Sequence, residues 1–323
     1  MVVRVLVTAS GGGHTGYGVS IAQRLYGRVD ELVFIIPRGD KWTRSKVEKY
    51  SDKIIEISKP RGPKDSMGKL LLRMPGAFLE SLRRVPGGFD VFISSGSNHS
   101  VPPAIVARLK GMRVYNLESS VRFTRPSLSA KWLRPFSHVT VLQWEEQLKI
   151  HPKGRVYGPF YEYPEYEPVD KGYVLVTGGT YGHRQLFEVV DKLDLDNIVL
   201  QTGRIDPKPF KERHPEWTVF QFDPDFGKWL AGASVVVSHL GKTVIDAVLT
   251  YKKPVVIVPN PEWTLTAGWK DAEILARKLN AVVVDEIAPE KILEAIDKAR
   301  KTVPPEYPDG AARLAEELES SVR

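Results

Sequence analysis

The stretch ASVVVSHLGKTVIDAVLTYKKPVVIVPN, residues 233–260, reads as strand, tight turn, helix and strand. Val235 to Val237 is a β-branched run of the kind a parallel sheet buries on both faces. Ser238 to Thr243 makes a polar turn in which Gly241 can take backbone conformations closed to other residues. Val244, Ile245, Val248 and Leu249 then recur at helical spacing until Lys252-Lys253-Pro254 stops the helix, and Val255 to Val258 is the next strand. Such a unit aims a helix N-terminus and free backbone N–H groups at the carboxyl edge of a sheet, which favours phosphate. Asp246, about one turn into the helix, is placed to accept hydrogen bonds from a ribose. Gly241-Lys242-Thr243 is not a P-loop, because the glycine that motif needs five residues earlier is Val236. An ordinary βαβ crossover has the same outline, so the chemistry rests on what surrounds it.

The alternation extends in both directions. Arg4 to Thr8 is a first strand, followed by the glycine-rich turn Ser10-Gly11-Gly12-Gly13-His14-Thr15-Gly16 and a helix from Tyr17 to Tyr26. That turn lacks G-x-G-x-x-G in register, and no acidic residue closes the strand Leu32 to Ile36, so it is no dinucleotide fingerprint. His14 there is a candidate general base near neutral pH, against the plainer role of a helix-capping histidine. Strands at Phe89 to Ser94, Arg113 to Asn116 and Val139 to Gln143 follow. The first runs into Ser95-Gly96 and the second delivers Glu118 and Arg122 to the ligand edge, where Glu118 could orient a hydroxyl and Arg122 and Arg125 could hold a phosphate. Residues 161–172 are proline-rich, aromatic and acidic without periodicity and read as a linker. A second α/β series then starts at Tyr173 to Thr177, with its own glycine turn Gly178-Gly179-Thr180-Tyr181-Gly182. Strands at Ile198 to Thr202, Thr218 to Phe222 and Ala281 to Val284 complete it, and residues 308–323 form an acidic terminal helix. The expected domains are 1–160, the linker 161–172, and 173–323 carrying the terminal helix. Two Rossmann-like α/β domains facing each other across a cleft, with ligand between them, is the expected architecture.

The 323 residues contain no cysteine, which excludes disulfides, zinc–thiolate sites and cysteine nucleophiles. The D-x-D pairs at Asp194/Asp196 and Asp223/Asp225 do not follow strands, and no metal is expected. No uncharged run approaches membrane-spanning length, so the chain is expected to be soluble or to lie on a membrane without crossing it. Charge is uneven, with a balance of +14 over residues 1–160 and −7 over the remainder. A basic first half points to an anionic partner. Residues 68–84 mix apolar side chains with cations, and Lys69, Leu71, Leu72, Arg73, Phe78, Arg83 and Arg84 are expected to face lipid. The alternative is an ordinary amphipathic helix on the sheet, interrupted near Pro75-Gly76.

Taken together, these residues resemble the GT-B glycosyltransferases related to bacterial peptidoglycan N-acetylglucosaminyltransferase. The chain is also similar to the two-subunit eukaryotic enzyme that adds the second N-acetylglucosamine to the dolichol-linked oligosaccharide. Gly12-Gly13-His14-Thr15-Gly16, Asp90 to Ile93 with Ser95-Gly96, Tyr115 with Glu118-Ser119, Arg122, Ser127 to Ser129 and Gln143-Trp144 resemble its acceptor subunit. Val176 to Thr180, Val237-Ser238-His239 with Gly241 and Thr243, and Val258-Pro259-Asn260 resemble its donor subunit. The departures are Lys242 in a run otherwise made of small residues, Asp246 in place of glutamate, and residues 263–271, which do not match the family's sugar-contacting segment. The acceptor subunit's membrane anchor has no counterpart, so the implied recruitment is peripheral.

The resemblance implies an inverting, metal-independent transfer of N-acetylglucosamine from UDP-N-acetylglucosamine to a polyprenyl-diphosphate-linked sugar, without cofactor or nucleic acid. It implies a cytoplasmic enzyme on the inner face of the cell membrane. Donor contacts are implied for Gly178, Gly179, Thr180, Ser238, His239, Gly241, Lys242, Thr243, Asp246 and Asn260. Acceptor diphosphate contacts are implied for Gly12, Gly13, Thr15, Ser95, Gly96 and Arg122, with His14 or Glu118 as base. A UDP-sugar 2-epimerase of the same architecture and a non-catalytic nucleotide-sugar or lipid-binding scaffold are the alternatives.

Overall fold

The computed structural model describes residues 3–62, 65–262 and 267–322, with the chain divided into two compact units. The first comprises residues 1–162 together with 308–323, and the second residues 163–307.

The first unit contains strands β1 (Arg4–Thr8), β2 (Glu31–Pro37), β3 (Lys53–Ile57), β4 (Val91–Ser94), β5 (Arg113–Leu117), β6 (Val139–Leu142) and β7 (Arg155–Val156). All pair in parallel, in the order β3-β2-β1-β4-β5-β6-β7. Between them run α1 (Gly12–Leu25), α2 (Lys41–Val47), α3 (Met67–Arg84), α4 (Ser97–Leu109) and α5 (Leu128–Leu133). The period-2 rule divides the strand side chains between two cores. Val5, Val7, Phe34 and Ile36 pack with Ile21 and Leu25 of α1 on one face. Leu6, Val33, Ile35 and Phe92 pack with Val101 and Ala104 of α4 and Leu133 of α5 on the other. The order reverses at β1 and β4, and ligands bind at the carboxyl edge beside such a switch point.

The second unit repeats the scheme. Strands β8 (Tyr173–Thr177), β9 (Ile198–Gln201), β10 (Thr218–Phe220), β11 (Ala233–Ser238), β12 (Val255–Ile257) and β13 (Val282–Val283) form a parallel sheet in the order β10-β9-β8-β11-β12-β13. Its helices are α6 (Arg184–Val190), α7 (Lys208–Arg213), α8 (Phe226–Gly232), α9 (Lys242–Ile245), α10 (Trp269–Leu279) and α11 (Pro289–Ala299). Here α9 continues without a break into a π-helical turn, Asp246–Thr250.

Three expectations are corrected. The terminal helix α12 (Gly310–Val322) belongs to the first unit, not the second. Its apolar row Ala311, Leu314, Ala315 and Leu318 joins the α1 core, Arg24 pairs with Asp309 at 2.7 Å, and Glu317 receives Arg155 at 2.7 Å and the Tyr157 hydroxyl at 2.8 Å. Residues 67–84 form one helix running through Pro75. Pro75 is exposed, so the carbonyl that loses its N–H partner is left to water rather than buried. The glycine turn after β1 is helical from Gly12 onward, so Gly12, Gly13 and His14 form the first turn of α1.

Candidate active site

At the carboxyl edge of the first sheet, α1 and α4 both begin at a glycine in the left-handed region, Gly11 at φ 69° and Gly96 at φ 94°, and neither has a side-chain cap. His99 N donates to the Ser97 hydroxyl at 3.2 Å, while the N–H groups ahead of it in α4 and those opening α1 remain available to an anion among the described residues. His14 Nδ1 lies 2.8 Å from the Ser95 carbonyl oxygen. A carbonyl only accepts, so Nδ1 carries the proton and Nε2 keeps its lone pair, the form a general base requires. Burial, and then the Lys59 and Arg122 cations, hold the imidazole down at about 4, against the Ser95 bond and the charge of Glu118. Gly96 is required twice over, since a Cβ there would lie 2.9 Å from His14 Nδ1. Sequence reading missed Lys59, which donates to the Ser10 carbonyl at 3.2 Å, and Ser97, held at φ 69° with its hydroxyl 2.6 Å from that of Ser10. A lysine between strand and helix carries no signal of its own; it becomes visible once β3 is placed beside β2.

Glu118 does not sit as a base. It is fully buried, with Oε1 accepting from Ser119 N at 2.8 Å and Oε2 accepting from Ser127 N at 2.9 Å and His151 Nε2 at 2.8 Å. Those bonds pin both ends of the loop that carries Arg122. Gln143, Trp144 and Gln147 complete the clamp. Gln143 Nε2 donates to the Glu118 carbonyl, Trp144 Nε1 to that of Ser120, and Gln147 Nε2 to those of Ser119 and Arg122, all within 2.8–2.9 Å. Thr15 is likewise structural, buried against the Thr43 hydroxyl at 3.0 Å, which in turn donates to Asp40. Ser95 is buried with its hydroxyl unbonded among the described residues.

At the carboxyl edge of the second sheet, Gly178 to Thr180 pack against the turn after β11. A Cβ on Gly178 would come within 2.3 Å of the Gly182 backbone, and one on Gly179 within 2.5 Å of the His239 ring. His239 is pushed down to about 4 by burial and by neighbouring His183. The Ser238 hydroxyl is buried and unbonded among the described residues, and Gly241 opens α9 without a side-chain cap. Thr243 stands in the first turn of α9, and Asn260 accepts from Glu262 N at 3.0 Å. Lys242 and Asp246 form a buried ion pair one turn apart, so the Asp246 carboxylate is engaged by an ammonium rather than open. Part of the segment with no family match, residues 263–266, lies outside the described residues.

On α3, Leu71 is 63% exposed and Leu72 81%. Leu79 and Leu82 extend the same exposed row, whereas Phe78 turns inward and lines an apolar groove of about 290 Å³ with Leu71, Met74, Ile105 and Trp132. Lys69 and Arg73 flank Asp65 at 3.2 and 3.3 Å, and Arg84 lies 3.3 Å from Glu80. Among the described residues no helix is long and apolar enough to cross a membrane.

Comparison with known proteins divides the chain at the same linker but carries the second domain on to residue 321, across α12. Residues 173–321 match the glycosyltransferase family 28 C-terminal domain, and residues 5–160 match the family described as oligosaccharide biosynthesis protein Alg14 like. The chain is a GT-B glycosyltransferase. A Trichodesmium erythraeum relative, UDP-N-acetylglucosamine--N-acetylmuramyl-(pentapeptide) pyrophosphoryl-undecaprenol N-acetylglucosamine transferase, is 25% identical, over 93% of this chain and 85% of its own. Acinetobacter baumannii MurG superposes on this GT-B glycosyltransferase with a TM-score of 0.62 at 18% identity, covering 98% of this chain and 99% of its own. The UDP-GlcNAc 2-epimerase of Methanocaldococcus jannaschii superposes at 0.64 with 12% identity, covering 98% and 99%. At those identities the superpositions establish the fold alone.

Proposed function

We propose that this glycosyltransferase moves N-acetylglucosamine from UDP-N-acetylglucosamine to a sugar carried on polyprenyl diphosphate, with inversion and without a metal. The observation that carries the reading is His14, fixed by the Ser95 carbonyl as the Nε2 base beside two uncapped helix N-termini, Lys59 and Arg122. The acceptor diphosphate takes the helix N–H groups and the cations. As the acceptor hydroxyl oxygen bonds to the anomeric carbon, its proton passes to His14 Nε2. The bond from that carbon to the β-phosphate oxygen breaks, and UDP leaves with the electron pair. Gly178, Gly179, Thr180, Ser238, Gly241 and Thr243 bound the donor diphosphate, His239 packs beneath them, and Asn260 lies at the sugar. Lys242 is a fixed cation for the leaving group, and Asp246 is released from it to accept from the ribose. The exposed row Leu71, Leu72, Leu79 and Leu82, fringed by Lys69, Arg73, Arg83 and Arg84, lies on the cytoplasmic surface of the membrane that holds the acceptor. The Alg14-like first half favours a lipid-linked oligosaccharide acceptor, with acceptor and donor roles divided between the halves as between the eukaryotic subunits.

The names of the curated relatives favour a second acceptor, a muramyl-pentapeptide on the same lipid diphosphate. Transfer of labelled N-acetylglucosamine to a short-chain prenyl-diphosphate N-acetylglucosamine, with label counted in the organic phase, tests the first. Label that persists in EDTA supports both the acceptor and the metal-free route. Label only with the muramyl-pentapeptide lipid moves the reading to the second acceptor, and no label with either overturns it.

A further inference from the structure

The second unit has another built pocket, at the amino edge of its sheet and therefore opposite the donor turn. Gly172 lies just ahead of β8, Ala233 and Ser234 open β11, and Pro254 precedes β12. With Asp170, Lys252, Lys253 and Arg300 they line a cavity of about 540 Å³. Lys253 is only 6% exposed, and among the described residues no hydrogen bond or ion pair reaches its ammonium. Asp170 is the carboxylate whose field acts on it, and Asp170 Oδ1 already accepts from Gly172 N at 2.8 Å. Lys252 is held at φ 54°, in the left-handed region, and among the described residues its ammonium reaches only the exposed Glu306, at 3.7 Å. Arg300 reaches Asp297 at 3.6 Å, also on the surface. Exposed pairs of this kind contribute little, so neither cation is committed to its partner.

Helix dipole accounts for part of this cluster, because Lys252 and Lys253 follow the end of the Asp246–Thr250 turn, where cations are favoured. It does not account for a lysine folded inward. Burying a lysine side chain is costly, and burial pulls the Lys253 amine below its ordinary range, opposed in part by the charge of Asp170. A small anion in the cavity removes that cost.

We infer that Lys253, Lys252 and Arg300 form a second, non-catalytic anion site that takes a phosphate group, free or as a phosphate ester. Lys253 supplies a point charge at the cavity wall, Arg300 a planar fork at the rim, and the cavity is wide enough to hold an ester's organic part. The inference does not depend on the nature of the donor or the acceptor.

Isothermal titration with inorganic phosphate in HEPES at pH 7.5 tests it, on wild type, Lys253→Met, Arg300→Gln and the remote control Lys291→Gln, each checked for folding by circular dichroism. Phosphate bound at the catalytic edges is common to all four and cancels. The expected result is a saturable component weakened roughly tenfold or more by Lys253→Met and several-fold by Arg300→Gln, and unchanged by Lys291→Gln. Should Lys253→Met not fold, the Arg300→Gln comparison carries the test. Competition by glycerol 3-phosphate identifies an ester site, and phosphate binding without such competition identifies a free-phosphate site; either supports the proposal. Isotherms that superimpose for wild type, Lys253→Met and Arg300→Gln overturn it.

Discussion

Three polar arrangements, around His14, Glu118 and Lys242, decide how individual residues work here. His14 is poised by one backbone carbonyl, and its replacement by alanine is expected to lower kcat/KM at least about 10²-fold while leaving donor affinity unchanged. Wild-type activity with that variant would remove His14 from the mechanism. Since a base must be unprotonated and burial holds this ring near 4, the acid limb of the free enzyme's kcat/KM profile should fall near that value, well below the ordinary histidine range. Glu118→Gln is expected to act differently, loosening the Arg122 loop and raising KM for acceptor more than it lowers kcat, because the carboxylate holds three donors and touches no reacting atom. At the donor turn, Lys242→Met should weaken UDP about tenfold relative to uridine, the loss expected of one charge-assisted contact. Equal losses for both ligands would place the effect in the fold of the turn. His14 and the glycines were legible because their types are constrained by backbone geometry. Glu118 was legible as important but not as to role: a buried carboxylate and a catalytic one read alike until its three donors are placed.

Among the elements, the strands were the most legible, since β-branched runs such as Val235 to Val237 are buried on both faces and leave no other reading. β3 was missed because Lys53-Ile54-Ile55-Glu56-Ile57 is an edge strand whose charged residues break the apolar run. The helical start of α1 was hidden by its glycines, and the continuity of α3 by Pro75. The exposed row on α3 gives a prediction of its own. Leu72→Glu, at a position 81% exposed, should leave thermal stability nearly unchanged yet reduce sedimentation with vesicles containing anionic lipid several-fold. Undiminished sedimentation would detach this face from the membrane. The return of α12 to the first unit was not legible. An amphipathic helix announces that it has an apolar face but not which core receives it.

For the molecule as a whole, four histidines among the described residues are pushed toward the uncharged form. His14, His183 and His239 are held near 4 and His99 near 3, each chiefly by burial. The unfolded chain protonates such rings near 6.5, so between that value and 4 the unfolded state binds more protons. Stability from this source is full above pH 6.5 and is lost continuously as pH falls toward 4. The urea midpoint should therefore drop between pH 7.5 and pH 5; an unchanged midpoint would show that the rings are not held neutral. Asp309→Ala should cost about 3 kcal/mol, because it takes the carboxylate from the guanidinium of Arg24, whose side chain is 1% exposed. That same helix carries a further consequence, for synthesis. A ribosome adds residues 163–307 before residues 308–323, so the first unit lacks the piece that covers Ile21 and Leu25 for as long as the second unit is being made. At usual elongation rates that interval is on the order of ten seconds. During it the earlier-made half waits with an open core.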